Sequence, residues 1–455
     1  MAIKPVTPKP KLKLYHLRTH SASLSALFFL MIAAFAGICT AAPPRPAFPP
    51  LLSGQPFIIF WGIPDSSCSG RPDPGSFGME RDSRVAVFYE DTLGNYPYFV
   101  DIDTPINGGL PQHTRLETHL QKMKQDLEEA LPAPRYLGLG VLRWGEWVPQ
   151  WSRSREKQAL YVEASKKLLK GFFPNWTPAE VEKWSKVDFE AAAQSVMMET
   201  LREVKKLRPK ALWGFSPYPS CYNSDPTQTM LANYTGQCPP AEMALNDELS
   251  WLWKRSSALY PLLTLEKLQV SNFSTSLRIS SASGAEFDLP VFPLVKSVYA
   301  STNTFLSQAD LVSSVGESAA MGTAGVVVWE RMMGATTLNQ TRIRQHSSPV
   351  LGPYSINVTT AARLCSASLC QGRGRCVRQN PESSAYLHLP PPSRTTTTAA
   401  TKRASVTEFS GSSTAGTGIP APSLEASTDK GTNPPSPPSI TVLLLLVVGS
   451  LSLEP

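Results

Sequence analysis

Between Gly138 and Trp151 the chain reads GLGVLRWGEWVPQW, bringing a cation (Arg143), a carboxyl (Glu146) and the indoles of Trp144, Trp147 and Trp151 close together. A carboxyl whose pKa is raised by its surroundings can donate a proton to a leaving group, and Glu146 is the carboxyl of this segment that could do so. A guanidinium suits the reverse task, gripping an anion with parallel N–H donors. On a strand, positions two apart share a face, so Arg143 and Gly145 point one way and Glu146 the other. A bulge at Gly145 would be needed to turn Glu146 toward Arg143. Without it, Glu146 is a solvated or salt-bridged rim residue. Arg143 either meets a ligand anion or is neutralised by Glu146 or another acid.

The elements that position these residues are short apolar runs separated by amphipathic stretches. Phe57–Phe60, Val85–Phe88, Leu137–Leu142, Ala211–Phe215, Leu289–Val295 and Gly325–Trp329 have the length and composition of buried strands. Thr114–Leu131 and Asp188–Leu207 carry apolar residues at helical spacing with charges on the opposite face. Alternation of this kind predicts a parallel sheet and an α/β domain.

The chain has 455 residues, 42% of them hydrophobic, enough for one large core. Its formal charge of +7 would raise encounter rates with polyanions. Five of the positive charges, Lys4, Lys9, Lys11, Lys13 and Arg18, precede the apolar run of residues 24–38, which reads with Thr40-Ala41-Ala42 as a cleaved secretory signal over residues 1–42. No basic run interleaved with aromatics predicts nucleic acid as a partner. Ile440–Leu453 is apolar, lacks a following basic stop, and comes after a polar spacer with small residues. That pattern predicts a glycosylphosphatidylinositol attachment signal over 440–455, with the lipid joined among Ser427 to Gly431. Residues 381–439 are rich in Ser, Thr and Pro and read as an extended stalk. Sequons begin at Asn175, Asn233, Asn272, Asn339 and Asn357, in keeping with passage through the secretory pathway to the cell surface. No cofactor or metal is expected.

Trp144, Trp147, Pro149 and Trp151 hold the register of a pattern like V-I-D-W-E-x-W-x-P-x-W, and the chain resembles the hyaluronidase family. Other family-like segments include Tyr96-Pro97-Tyr98, Gly108–Gln112, Leu207–Asn223, Asn233–Pro239, Ala258–Pro261, Gly316–Ala320 and Gly325–Trp329, in the family's order over roughly residues 50 to 380. The resemblance implies a distorted TIM-like (β/α) barrel over residues 43–360, with its site at the C-terminal ends of the strands. It also implies a truncated EGF-like segment over 361–380. Cys221 would pair with Cys238 and Cys365 with Cys376, while Cys68 and Cys370 lack their usual partners.

In the family's substrate-assisted route the sugar's acetamido oxygen attacks the anomeric carbon, an Asp holds the acetamide, and a Glu protonates the leaving oxygen. Arg143 stands where that Asp is expected and Gly145 where that Glu is expected. Tyrosines expected at three further cleft positions are Ser216, Thr264 and Leu294, while the cleft Trp is kept as Trp329. The resemblance therefore implies a lipid-anchored surface protein that is impaired as a glycosidase and acts by binding hyaluronan or a chondroitin-type glycosaminoglycan, or by adhesion. The alternative is an active hyaluronoglucosaminidase that uses Glu146 as a relocated acid.

Overall fold

The protein is described from a computed structural model that covers residues 51–63, 73–221, 238–264, 289–299, 304–329, 350–380, 383–390 and 424–427. The expected signal segment, the C-terminal apolar run, Cys68, Asn233, Asn272 and Asn339 lie outside these residues. No helix among the described residues is long and apolar enough to cross a membrane.

Seven short strands run parallel: β1 (Ile58–Trp61), β2 (Val85–Phe88), then, past an antiparallel pair β3 (Tyr98–Asp101) and β4 (Thr104–Ile106), β5 (Leu139–Arg143), β6 (Leu212–Ser216), β7 (Leu262–Leu263), β8 (Leu294–Val295) and β9 (Gly325–Val328). They form two parallel sheets, ordered β1-β9-β8-β7 and β2-β5-β6. Side chains alternate along them with the period of two that a pleated strand imposes. Ile58, Phe60, Leu139, Val141, Leu294 and Val327, drawn from both sheets, share one inner core with Tyr260 and Phe292. Residues of opposite parity face outward. Phe88, Leu142, Trp213 and Phe215 pack under helices on one flank, and Ile59, Trp61, Val295 and Val328 on the other. This is a (β/α) barrel in which, among the described residues, no ladder joins β1 to β2 or β6 to β7.

The helices that cover the β2-β5-β6 flank are α1 (Leu116–Ala130), α2 (Ala159–Phe172) and α3 (Pro178–Leu207). The helix predicted over Asp188–Leu207 is the second half of α3. Its start is set by a reciprocal cap, in which Thr177 Oγ1 accepts from the Glu180 N–H while the Glu180 carboxylate accepts from the Thr177 N–H, followed by Pro178. The strand predicted over Leu289–Val295 is reduced to the two-residue β8 and an isolated bridge from Val291 to Leu259. Pro290 and Pro293 have no N–H to give to a ladder.

A further helix, α4 (Pro240–Glu248), follows the Cys221–Cys238 disulfide, which closes a loop with a sequence separation of 17 and constrains the unfolded chain by about 3 kcal/mol. Helix α5 (Gly352–Leu369) runs across the expected boundary at 360, and its Ala361, Ala362 and Cys365 belong to the outer core against β1 and β9. The expected EGF-like segment thus begins as the end of a barrel helix. Cys365 is bonded to Cys376 in β10 (Arg375–Arg378), and Cys370 is buried beside them. β10 pairs antiparallel with β11 (Leu424–Ser427). Residues 383–390, assigned by composition to the stalk, belong to the folded body. Leu387 is buried, and His388 Nε2 meets the Tyr354 hydroxyl at 2.9 Å. The alternation Ala385, Leu387, Leu389 is the signal that composition concealed.

Candidate functional site

β5 sends Leu139 and Val141 into the inner core and Leu142 outward, so Arg143 continues the inward series at the strand's C-terminal end and Gly145 follows it. Ser216, the last residue of β6, is the register partner of Arg143. Trp329 directly follows β9, Lys296 follows β8, Thr264 follows β7 and Tyr89 follows β2. The ends of six different strands therefore supply one layer above the apolar fill, which is where barrel sites are built.

Two cations meet the same indole. The Arg143 guanidinium carbon lies 5.8 Å and the Lys296 ammonium 5.9 Å from the Trp329 ring centroid, with the Tyr89 ring 6.4 Å away. Both distances are in the range at which a cation is attracted to an aromatic face. Burial pulls the Arg143 pKa below its ordinary value, opposed by the charges of Glu90 and of nearby tyrosines. Several buried donors at this end have no hydrogen-bond partner among the described residues: Arg143 Nε, Ser216 Oγ, Tyr218 OH and Trp329 Nε1. Unpaired buried polar atoms are uncommon in native structures and call for an explanation.

Gly145 is occupied ground. A Cβ built on it would stand 2.7 Å from Arg143 Nη1, so the guanidinium fills the space into which a side chain at 145 would grow. The nearest anion is Glu90, buried, whose Oε1 accepts a hydrogen bond from the Gly145 N–H at 3.0 Å. Glu146, beyond the end of β5, is half-buried. Its charge acts on Tyr161, a member of the outer core whose hydroxyl accepts from the Phe99 N–H at 3.2 Å and whose pKa burial pushes up. The inner face at 143 and 145 thus carries no carboxyl.

The aromatic frame around the strand end is structural. Trp147 Nε1 donates to the Pro97 carbonyl at 2.8 Å, and its ring stacks on Tyr96 at 5.1 Å. Trp151 donates from its backbone N–H to Glu190 and from Nε1 to Glu182, both at 2.9 Å. Arg153 and Glu242, both buried, form an ion pair at 3.0 Å that ties this loop to α4. Such anchors hold the loop's register whatever stands at 143 and 145.

The structure brings Arg143, Gly145, Ser216 and Trp329 together, while the charge of Glu146 acts on Tyr161. Leu294 is fully buried one layer below, in the inner core, and Thr264 is exposed. Lys296, Tyr89 and Glu90 were not singled out from sequence, although each immediately follows an apolar run and the strand-end rule points to them. Of the sequons, Asn175 is exposed in the turn between α2 and α3, whereas Asn357 is half-buried within α5, its Oδ1 accepting from the Leu389 N–H at 2.8 Å. Among the described residues no group of His, Cys, Asp or Glu is arranged to hold a metal ion.

Residues 46–417 match the family model described as hyaluronidase. The chain is 39% identical over 372 residues to human hyaluronidase-4, covering 77% of each chain. It is 37% identical over 371 residues to sheep hyaluronidase-2, covering 76% of this chain and 78% of the relative. Among solved structures it is similar to bee venom hyaluronidase, with a TM-score of 0.60 and 26% identity over 66% of this chain and 99% of that one. The same enzyme in complex with a hyaluronic acid tetramer gives a TM-score of 0.59 at 26% identity, over 65% and 98% of the two chains.

Proposed function

Because the chain belongs to the hyaluronidase family, whose similar bee venom member was solved with a hyaluronic acid tetramer, we propose that it is a glycosaminoglycan-binding surface protein with little or no glycosidase activity. One observation carries this reading. The Arg143 guanidinium, facing inward, fills the space beside Gly145 where a general acid would have to stand. Loss of a general acid alone costs ~10² to 10⁴ in rate, and the cleft offers Ser216, Thr264 and Leu294 in place of expected tyrosines.

What the site supports instead is recognition. Arg143 and Lys296 present positive charge beside Trp329, whose ring can take the apolar face of a sugar, and the guanidinium can grip a uronic carboxylate. The secretory route, the lipid anchor within 440–455 and a role in adhesion belong to the same proposal and rest on the sequence pattern. Among acids for a hydrolytic reading, Glu90 is better placed than Glu146, since its carboxylate touches the Gly145 backbone. Beside a guanidinium, however, it acts as the counter-charge.

The test is release of reducing ends from hyaluronan and chondroitin by the purified protein from pH 3 to 8. No release above background is expected. Turnover comparable to that of a relative with both acids, abolished by Glu90→Gln or Glu146→Gln, would overturn the reading and identify the relocated acid.

A further inference from the structure

The opposite end of the barrel carries a second basic feature. Phe57 and Arg84 directly precede β1 and β2, so the surface around them lies at the N-terminal ends of the strands, away from Arg143 and Trp329. Two cavities of about 590 and 270 Å³ open there, between the segment before β1 and helix α5, and they share Gly54, Gln55, Pro56 and Arg363. They therefore form one continuous groove.

Its charged lining is five arginines, Arg81, Arg84, Arg363, Arg373 and Arg375, against the single carboxylate of Glu80. Glu80 bonds Arg84 at 3.2 Å, and Asp73, outside the lining, bonds Arg81 at 2.6 Å. Arg363 is exposed and has no acidic partner among the described residues. Arg373 is likewise exposed and bonds only the neutral Gln371 side chain, at 2.6 Å. At the shared mouth the groove thus holds uncompensated guanidinium groups around open backbone, since a Cβ on Gly54 or Gly372 would meet nothing within 4 Å.

We propose that this groove binds a sulfated polysaccharide, independently of the cleft. Guanidinium groups pair with sulfate oxygens through parallel N–H donors as they do with phosphate. With Arg84 held by Glu80 and Arg81 by Asp73, the guanidinium groups left for a ligand are those of Arg363 and Arg373, and two of them at one mouth match closely spaced sulfates better than a polymer with a single carboxylate per disaccharide. The groove lacks what single-stranded nucleic acid would use, because its only lining aromatic, Phe57, is buried and offers no stacking surface. Extracellular polyanions that remain are sulfated glycans, which the disulfides Cys221–Cys238 and Cys365–Cys376 make the relevant class by pointing to an oxidising compartment.

The experiment measures binding of a heparin octasaccharide to the detergent-purified full-length protein at two salt concentrations, with a hyaluronan octasaccharide and a single-stranded DNA of equal charge as comparison probes. Wild type should bind heparin in a salt-weakened manner and at least about tenfold more tightly than DNA. The double variant Arg363→Gln/Arg373→Gln, which alters exposed side chains, should keep its thermal stability and lose heparin affinity by about tenfold with a shallower salt dependence. Arg143→Gln should leave heparin binding intact while weakening hyaluronan. Absence of heparin binding, or a double variant that binds like wild type, would overturn the proposal. DNA bound as tightly as heparin and lost in the same variant would overturn the sulfated-glycan assignment.

Discussion

Glu90 Oε1 accepts the Gly145 N–H at 3.0 Å, so a buried carboxylate is fastened to the backbone two residues beyond Arg143. The charge of the same carboxylate opposes the penalty that burial imposes on the Arg143 guanidinium. Glu90 is thus the acid whose charge bears on Arg143 at this end of β5.

The first consequence is thermodynamic coupling. Glu90→Gln preserves an acceptor for Gly145 but leaves Arg143 without its counter-charge, and should destabilise the fold by about 1–3 kcal/mol. Arg143→Gln in the same background should restore part of that loss. A double-mutant cycle in urea measures the coupling directly, and additive effects of the two substitutions would contradict it.

Binding should depend on both cations beside Trp329. Arg143→Glu removes one favourable contact and adds a repulsive one, costing on the order of 1–3 kcal/mol in affinity for hyaluronan oligomers. Lys296→Gln should weaken binding in the same direction by a smaller amount, and both effects should shrink as salt rises. Calorimetry at two salt concentrations checks this. Wild type that binds no glycosaminoglycan would leave a protein-partner role as the better account.

Stability should fall in mild acid because of a buried histidine that packs edge-on against Trp144, with ring centroids 5.8 Å apart. His119 is fully buried, bonds Thr200 Oγ1 at 2.9 Å, and is held down to a pKa of about 4, chiefly by burial, from an ordinary 6.5. The folded state therefore keeps His119 neutral while the unfolded chain protonates below pH 6.5. Its contribution is fully present above that pH and is lost as pH falls toward 4, by up to about 3 kcal/mol. Denaturant titrations at pH 7 and pH 5 should show the drop, and His119→Gln, though less stable at pH 7, should show a smaller one.

The anchor is tested on intact cells. Phosphatidylinositol-specific phospholipase C should release the protein into the medium. Retention after treatment, with peptides from Ile440–Leu453 detected in the mature chain, would indicate a spanning segment instead.

Much of the barrel was legible because each strand carries its own evidence. The alternation within Leu139–Arg143 predicts which side chains turn inward, and Leu139 and Val141 lie in the inner core while Leu142 lies in the outer one. What was not legible comes from meetings between strands. Lys296 and Trp329 are distant in sequence, and only the pairing of β8 with β9 makes Val295 and Val328 neighbours and brings the next residues of each strand together. Glu90 was hidden for the same reason, since its bond to Gly145 spans 55 residues. The end of the folded body was misjudged because composition averages over Ala385, Leu387 and Leu389, whereas packing responds to their alternation.

The space shared by Arg143 and Gly145 couples substitutions at the two positions. A Glu introduced at 145 while Arg143 is present must displace a guanidinium that lies 2.7 Å from its Cβ, and would form an ion pair with the displaced group. An Asp introduced first at 143 opens that volume, after which a Glu at 145 can enter unobstructed. The two replacements are therefore not interchangeable steps. A Glu at 145 beside Arg143 faces a cation, whereas a Glu at 145 beside an Asp faces an anion, so each single intermediate is a different protein.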